Sequence, residues 1–258
     1  MVEYLLACVA AFLASMLTFF SGFGLGTILL PVLSLFFPVE LAIASTAVVH
    51  FLNNIFKFLL IGKRTNREIL MKFGLAAVPA AFAGALLLVL LSDWHISLEF
   101  DFLNLTFTLV PVNMVIGLVV IFFAFFEILP RVKKLTYNKD RLWIGGLVSG
   151  FFGGLSGHQG AMRSAFLINA GMTKEAFIAT GISISLAVDL IRMSIYSVSY
   201  LSTGMFQHIG LLAAASAAAF AGAVAGRYLL NKITYDLVKY TVAAFLVLIG
   251  AGLLLGII

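Results

Sequence analysis

Apolar residues collect along the chain into long runs separated by short polar stretches, none much longer than about a dozen residues. A run of roughly 20 apolar residues spans a bilayer core as a helix, because a helix satisfies its own backbone hydrogen bonds where no water can. The runs predict six long helices, at about 39–62, 68–92, 111–129, 173–199, 206–226 and 235–257. Two more runs, 4–36 and 142–171, are interrupted by glycine near their middles. Each arm then has only about 13 to 17 residues, or roughly 20 to 25 Å of helix, which is short for a full crossing.

The pattern is duplicated. At an offset of 135, Ser21-Gly22 returns as Ser156-Gly157, Glu40 as Glu175, Ala44-Ser45 as Ala179-Thr180, Asn54 as Asp189 and Lys57 as Arg192. Further on, Ala81-Phe82-Ala83-Gly84-Ala85 recurs identically at 219–223. The chain reads as one membrane domain, 1–258, made of repeat one (1–130) and repeat two (139–258) with a basic linker at 131–141. Each repeat is a Gly-broken helical hairpin followed by three transmembrane helices, and the fold class is an all-α polytopic membrane protein.

Composition agrees: 62% of residues are hydrophobic and 10% charged, against about 25% charged in soluble domains. The net charge of +5 sits in short loops and is not a nucleic-acid footprint. Three loops are basic: Lys63, Arg64 and Arg67; Arg131, Lys133, Lys134, Lys139 and Arg141; Arg227, Lys232 and Lys239. By the positive-inside rule all three belong in the cytoplasm, and the acidic stretch 92–104 outside. That parity holds only if each hairpin is re-entrant and returns to the face it left. Each repeat then crosses three times, and the second is inverted relative to the first. The single cysteine, Cys8, excludes an internal disulfide and a thiolate metal cluster, and neither a metal nor a cofactor is expected.

Polar residues inside the apolar runs carry the candidate chemistry. Ser21, Gly22 and Gly24, and Ser156, Gly157, His158 and Gln159, lie where the hairpins turn. Unwound backbone there exposes N–H groups at a helix N-terminus, which attracts anions. Packing through small residues accounts for the glycines but not for the Ser, His and Gln beside them. On the helix after the second hairpin, Ser185, Asp189, Arg192 and Tyr196 share one face, and His50, Asn54 and Lys57 occupy the matching face in the first half. Arg163 adds a further charge. Lys57, Arg163 and Arg192 outnumber Asp189, which favours a small anionic substrate, although Asp189 and Arg192 also fit a structural ion pair. Asp189, His158 and His50 are candidates for proton coupling. Glu40 and Glu175 complement helix dipoles in first turns and are left out of the site. No His-Glu-x-x-His pair or oriented Ser–His arrangement suggests an enzyme.

With these residues the chain resembles the sulfite exporter TauE/SafE family of membrane permeases from about residue 11 to 257. The resemblance is strongest in Gly153–Phe166 and Thr173–Gly181; the first half departs from it at Leu25 and at Ala44-Ser45-Thr46. It implies a multi-pass protein of the bacterial plasma (inner) membrane, with the lipid bilayer and a small anion as partners. The implied function is a secondary transporter, working as an exporter, of sulfite, an organosulfonate or a related sulfur oxoanion, by alternating access at a midplane site between the repeats. The alternative reading is an anion channel, or a transporter of another small carboxylate-like solute. Self-association into a homo-oligomer is compatible with the chain but not specified by it.

Overall fold

A computed structural model describes residues 1–21, 24–94, 96–102, 105–128, 141–168, 170–200, 205–229 and 235–257. The first Gly-broken run folds into α1 (Val2–Ser21) and α2 (Leu25–Leu33), followed by α3 (Val39–Ile61), α4 (Arg67–Ser92) and α5 (Pro111–Ile128). The second gives α6 (Leu142–Ser156) and α7 (Gln159–Leu167), followed by α8 (Lys174–Tyr200), α9 (Ile209–Leu229) and α10 (Tyr235–Leu255). All six long helices lie where the apolar runs place them. Glu40 and Glu175 stand in the first turns of α3 and α8, as their helix-dipole role requires.

The hairpin arms differ from expectation. They have 20 and 9 residues in the first half and 15 and 9 in the second, not 13 to 17 throughout. The apolar runs continue past the points where the returning arms stop. Ser34 Oγ caps back onto the Pro31 carbonyl as α2 ends, and Gly171, at a φ of 68°, turns the chain toward α8. The stretch expected to be a plain external loop also contains a two-stranded antiparallel sheet, β1 (Leu98–Phe102) and β2 (Leu105–Leu109), with Phe100 opposite Phe107. Its period-two alternation, Leu98, Phe100 and Phe102 against Glu99 and Asp101, is a strand signal that the helical reading passed over.

Four helical segments, Val39–Arg64, Arg67–Ser92, Lys174–Ser199 and Ile209–Tyr228, are long and apolar enough to cross a membrane, and shorter apolar helices surround them. Large apolar side chains such as Leu59, Leu75, Leu190 and Leu248 point outward, while Asn54, Lys57, Arg163, Asp189 and Arg192 are buried. This distribution suits a lipid solvent and a polar interior. The chain is an all-α polytopic membrane protein.

Helix directions follow from which residues touch. Gly146, Gly150 and Gly154 of α6 lie on Phe73, Ala77 and Ala81 of α4, so these two helices run parallel. Gly222 and Gly226 of α9 lie on Phe12 and Met16 of α1, again parallel. Between corresponding helices the sense is reversed. His50 of α3 meets Asp189 of α8 while Thr65, just beyond α3, meets Ser183, and Gly117 of α5 meets Gly250 and Leu253 of α10 while Ile121 also meets Gly250. Both α3 with α8 and α5 with α10 are therefore antiparallel.

The repeated segment plays one part twice. A Cβ on Gly84 would strike the Phe151 carbonyl of α6, and a Cβ on Gly222 would strike the Phe12 carbonyl of α1. Ala81 and Ala219, and Ala85 and Ala223, are fully buried beside them. Only glycine lets backbones come this close. Matching Phe12 with Phe151 puts the outgoing arms four residues out of step with the ungapped alignment. This difference is the extra turn, about 5.4 Å, by which α1 outgrows α6.

Candidate functional site

Asp189, fully buried on α8, is the centre of the polar interior. A carboxylate accepts only, and its two oxygens are met by donors from three helices. Oδ2 accepts from His50 Nδ1 at 2.7 Å and from Asn54 Nδ2 at 3.2 Å, both on α3. Oδ1 accepts from Gln159 Nε2 at 3.2 Å, in the first turn of α7, and from Arg192 Nε at 3.0 Å, one turn along α8. Arg192 Nη2 is 2.8 Å from the same oxygen but off the hydrogen-bond direction, so its protons find no acceptor among the described residues. Asp189 and Arg192 thus form the ion pair that the spacing allowed, within a wider donor cage.

Arg163 on α7 supports the cage from behind. Its Nη1 donates to Gln159 Oε1 at 3.3 Å and to the Ser185 hydroxyl of α8, and Gly181 leaves the space in which its guanidinium lies. Lys57 is buried on α3 one turn beyond Asn54. The site therefore holds two buried guanidinium groups, Arg163 and Arg192, close to the carboxylate of Asp189, while Lys57 is buried further along α3.

The second hairpin turn closes this cluster on one side. α6 ends at Gly157 in the left-handed conformation, φ 81°, and His158 opens α7. A Cβ on Gly157 would lie 2.7 Å from Arg192 Nη1, so the absence of a side chain lets the guanidinium reach the turn. Arg192 Nη1 approaches the Gly153 carbonyl at 3.5 Å, and the Tyr196 hydroxyl donates to the Gly154 carbonyl. Ser149 Oγ donates to the Gln159 carbonyl at 2.9 Å and fixes the start of the returning arm. The first hairpin reaches the same place: a Cβ on Gly26, in the first turn of α2, would be 3.3 Å from the Gly157 carbonyl and 3.9 Å from Thr46 Cγ2.

Most of the residues singled out from sequence come together here. His50, Asn54, Gln159, Arg163, Asp189 and Arg192 form one bonded network, with Ser156, Gly157, His158 and Tyr196 beside it. Ser21 is the last residue of α1 and Gly24 precedes α2 at a φ of 117°. Gly22 lies outside the described residues, as do Arg131, Lys133, Lys134, Lys139 and Lys232 of the basic loops.

Among the buried polar residues that escaped the sequence reading, four bear on this network: Thr46, Asn53, Ser15 and Ser149. Thr46 and Asn53 continue the polar face of α3, and Thr46 Oγ1 and Asn53 Nδ2 have no hydrogen-bond partner among the described residues. Ser15 of α1 donates to Asn53 Oδ1 at 3.1 Å, and Ser149 braces Gln159. Thr46, His50, Asn53 and Lys57 are spaced by four, three and four, and that helical period could have found Thr46 and Asn53.

Such a bundle, apolar outside with a cage of buried charges where two broken hairpins meet, defines a polytopic membrane protein of the transporter class. A family model described as Sulfite exporter TauE/SafE matches residues 7–253, nearly the whole length, and the chain belongs to that family. The family is one of multi-pass membrane transporters, not of enzymes. No curated protein and no solved structure matches the chain.

Proposed function

We propose that the protein is a secondary transporter that exports a small sulfur oxoanion or organosulfonate, bound at midplane between two inverted repeats and passed across by alternating access. The observation that carries this reading is the buried Arg192 guanidinium, which reaches the turn at Gly157 where the two hairpins touch and keeps Nη2 protons without an acceptor among the described residues. Buried charge inside a membrane is costly, and a bound anion at the Arg192 guanidinium is the partner that offsets it. The antiparallel run of α3 with α8 and of α5 with α10 supports inversion of the halves.

In this mechanism the anion competes with the Asp189 carboxylate for Arg192 and Gln159. Asp189 and His50, bonded at 2.7 Å, form the natural proton carrier, since a proton taken up there removes the competing negative charge. Rocking of the hairpins about the shared site then exposes it to one face or the other.

The test is thermal stabilisation of the purified protein by sulfite, thiosulfate, sulfate, sulfonates, carboxylates and phosphate, followed by flux in proteoliposomes. Stabilisation by sulfur anions with saturable flux is expected. Stabilisation by carboxylates alone, or conductance far above a carrier's turnover, overturns the proposal.

A further inference from the structure

His158 has an unused edge. The ring is 2% exposed, lies face to face with Phe123 of α5 at 5.2 Å and 19°, and places Nδ1 3.1 Å from Ser156 Oγ. A serine hydroxyl has one proton, and that of Ser156 goes to the Phe152 carbonyl at 3.2 Å. Ser156 Oγ is therefore the acceptor and His158 Nδ1 the donor. A neutral imidazole carries one N–H, so Nε2 is left with a bare lone pair. Among the described residues this buried nitrogen has no hydrogen-bond partner.

Buried acceptors are rarely left unmet, and unmet ones concentrate where a ligand supplies the missing group. The preceding residue, Gly157, is the one whose missing side chain admits the Arg192 guanidinium. A lone-pair acceptor and a cation with unused N–H groups thus flank one turn. Together they match a ligand that has a negative group for Arg192 and, a short distance away, a hydrogen of its own to donate.

We infer that His158 Nε2 is a specificity-determining acceptor, and that the transported anion carries a hydrogen-bond donor beside its charge: a protonated oxoanion, or a sulfonate with a hydroxyl or ammonium group. The inference rests on the anion-transport reading and narrows it. A site built to pair with a substrate O–H or N–H discriminates against the analogue that lacks it, because the buried partner is then left unpaired.

The experiment compares 2-hydroxyethanesulfonate with propanesulfonate, which is of similar size but lacks the donor, by calorimetric titration of the purified full-length protein. The hydroxylated anion should bind about tenfold more tightly, the worth of one well-placed hydrogen bond. In His158→Phe, which keeps a flat ring against Phe123 and removes the acceptor, the preference should fall to within about twofold. In His158→Gln, whose side-chain carbonyl accepts, part of it should return, and this arm serves if the Phe variant does not fold. Equal binding of the two sulfonates by the wild-type protein, or a preference unchanged in the Phe variant, overturns the inference. If neither sulfonate binds but sulfate, which carries no proton near neutral pH, does, this inference fails and the anion reading stands. Failure of every anion to bind removes both.

Discussion

At the scale of single residues, Asp189 and Arg192 answer to two demands at once. Removing Arg192 alone strips a buried carboxylate of its cation, a loss of about 3 to 5 kcal/mol in comparable pairs. Such a variant would confuse folding with binding. The informative comparison is Asp189→Asn against Asp189→Asn with Arg192→Gln. Both remove the buried carboxylate, and only the second removes the guanidinium. The single variant leaves a buried guanidinium without its anion and should be the less stable of the two, while substrate affinity should be about ten- to a hundredfold weaker in the double variant, the worth of a charge-assisted hydrogen bond. Equal dissociation constants would assign Arg192 to the fold alone. These residues were legible in sequence because charge inside an apolar run is costly and conspicuous. Ser15 and Ser149 were not, since a lone hydroxyl in such a run usually bonds to its own helix. The carbonyls of Gly153 and Gly154, which receive Arg192 and Tyr196, carry no side-chain signal at all.

Among elements, the tightest seams are α4 with α6 and α1 with α9, where glycine brings backbones into contact. Gly84→Ala and Gly222→Ala should each destabilise the protein by about 1 to 3 kcal/mol, because the added methyl meets main chain that cannot move aside. Gly74, on the same helix as Gly84, is a control of opposite sign. A Cβ there meets only Leu70 Cδ1 at 3.7 Å, so Gly74→Ala should raise stability by up to about 1 kcal/mol through helix propensity. Thermal unfolding in detergent reads all three, and a uniform response would refute the packing argument. The long helices could be read from hydropathy because their length and apolar content coincide. The returning arms could not, because an apolar run does not record where the helix inside it stops. Nor could the extra turn of α1, since an ungapped alignment of polar positions is blind to packing register.

For the whole molecule, the question is how the bundle sits in the bilayer. Thr65 and Asn66 bond to Ser183 and Thr180 near the start of α8, and Leu142 packs with Ile69 near the start of α4. The basic residues Lys63, Arg67 and Arg141 therefore share one end of the bundle, and α9 runs back toward that end, where Arg227 lies. In a Cys8→Ala background, single cysteines at 63, 141 and 227 should resist a membrane-impermeant maleimide applied from outside, while one at 99 should react. All four positions are exposed to solvent in the isolated chain. Strong external labelling at 227 together with protection at 63 would rule out the inverted arrangement. Loop charge and parity are the sequence signals for this layout, and the labelling pattern is its test.

In the inverted-repeat arrangement we propose, the hydrogen bond between Asn54 and Asp189 joins two positions that stand at the same point of the two repeats. A residue on a twofold axis meets its own counterpart. In a pair of identical half-length chains, whatever stood there would face a copy of itself: two aspartates would press like charges together, and two asparagines would supply no carboxylate. A single carboxylate on the axis, held by an amide from the other half, is open only to a chain in which both halves are joined and have diverged. On that arrangement, joining the halves in one polypeptide is what allows a symmetric scaffold to hold an unsymmetric charge at its centre.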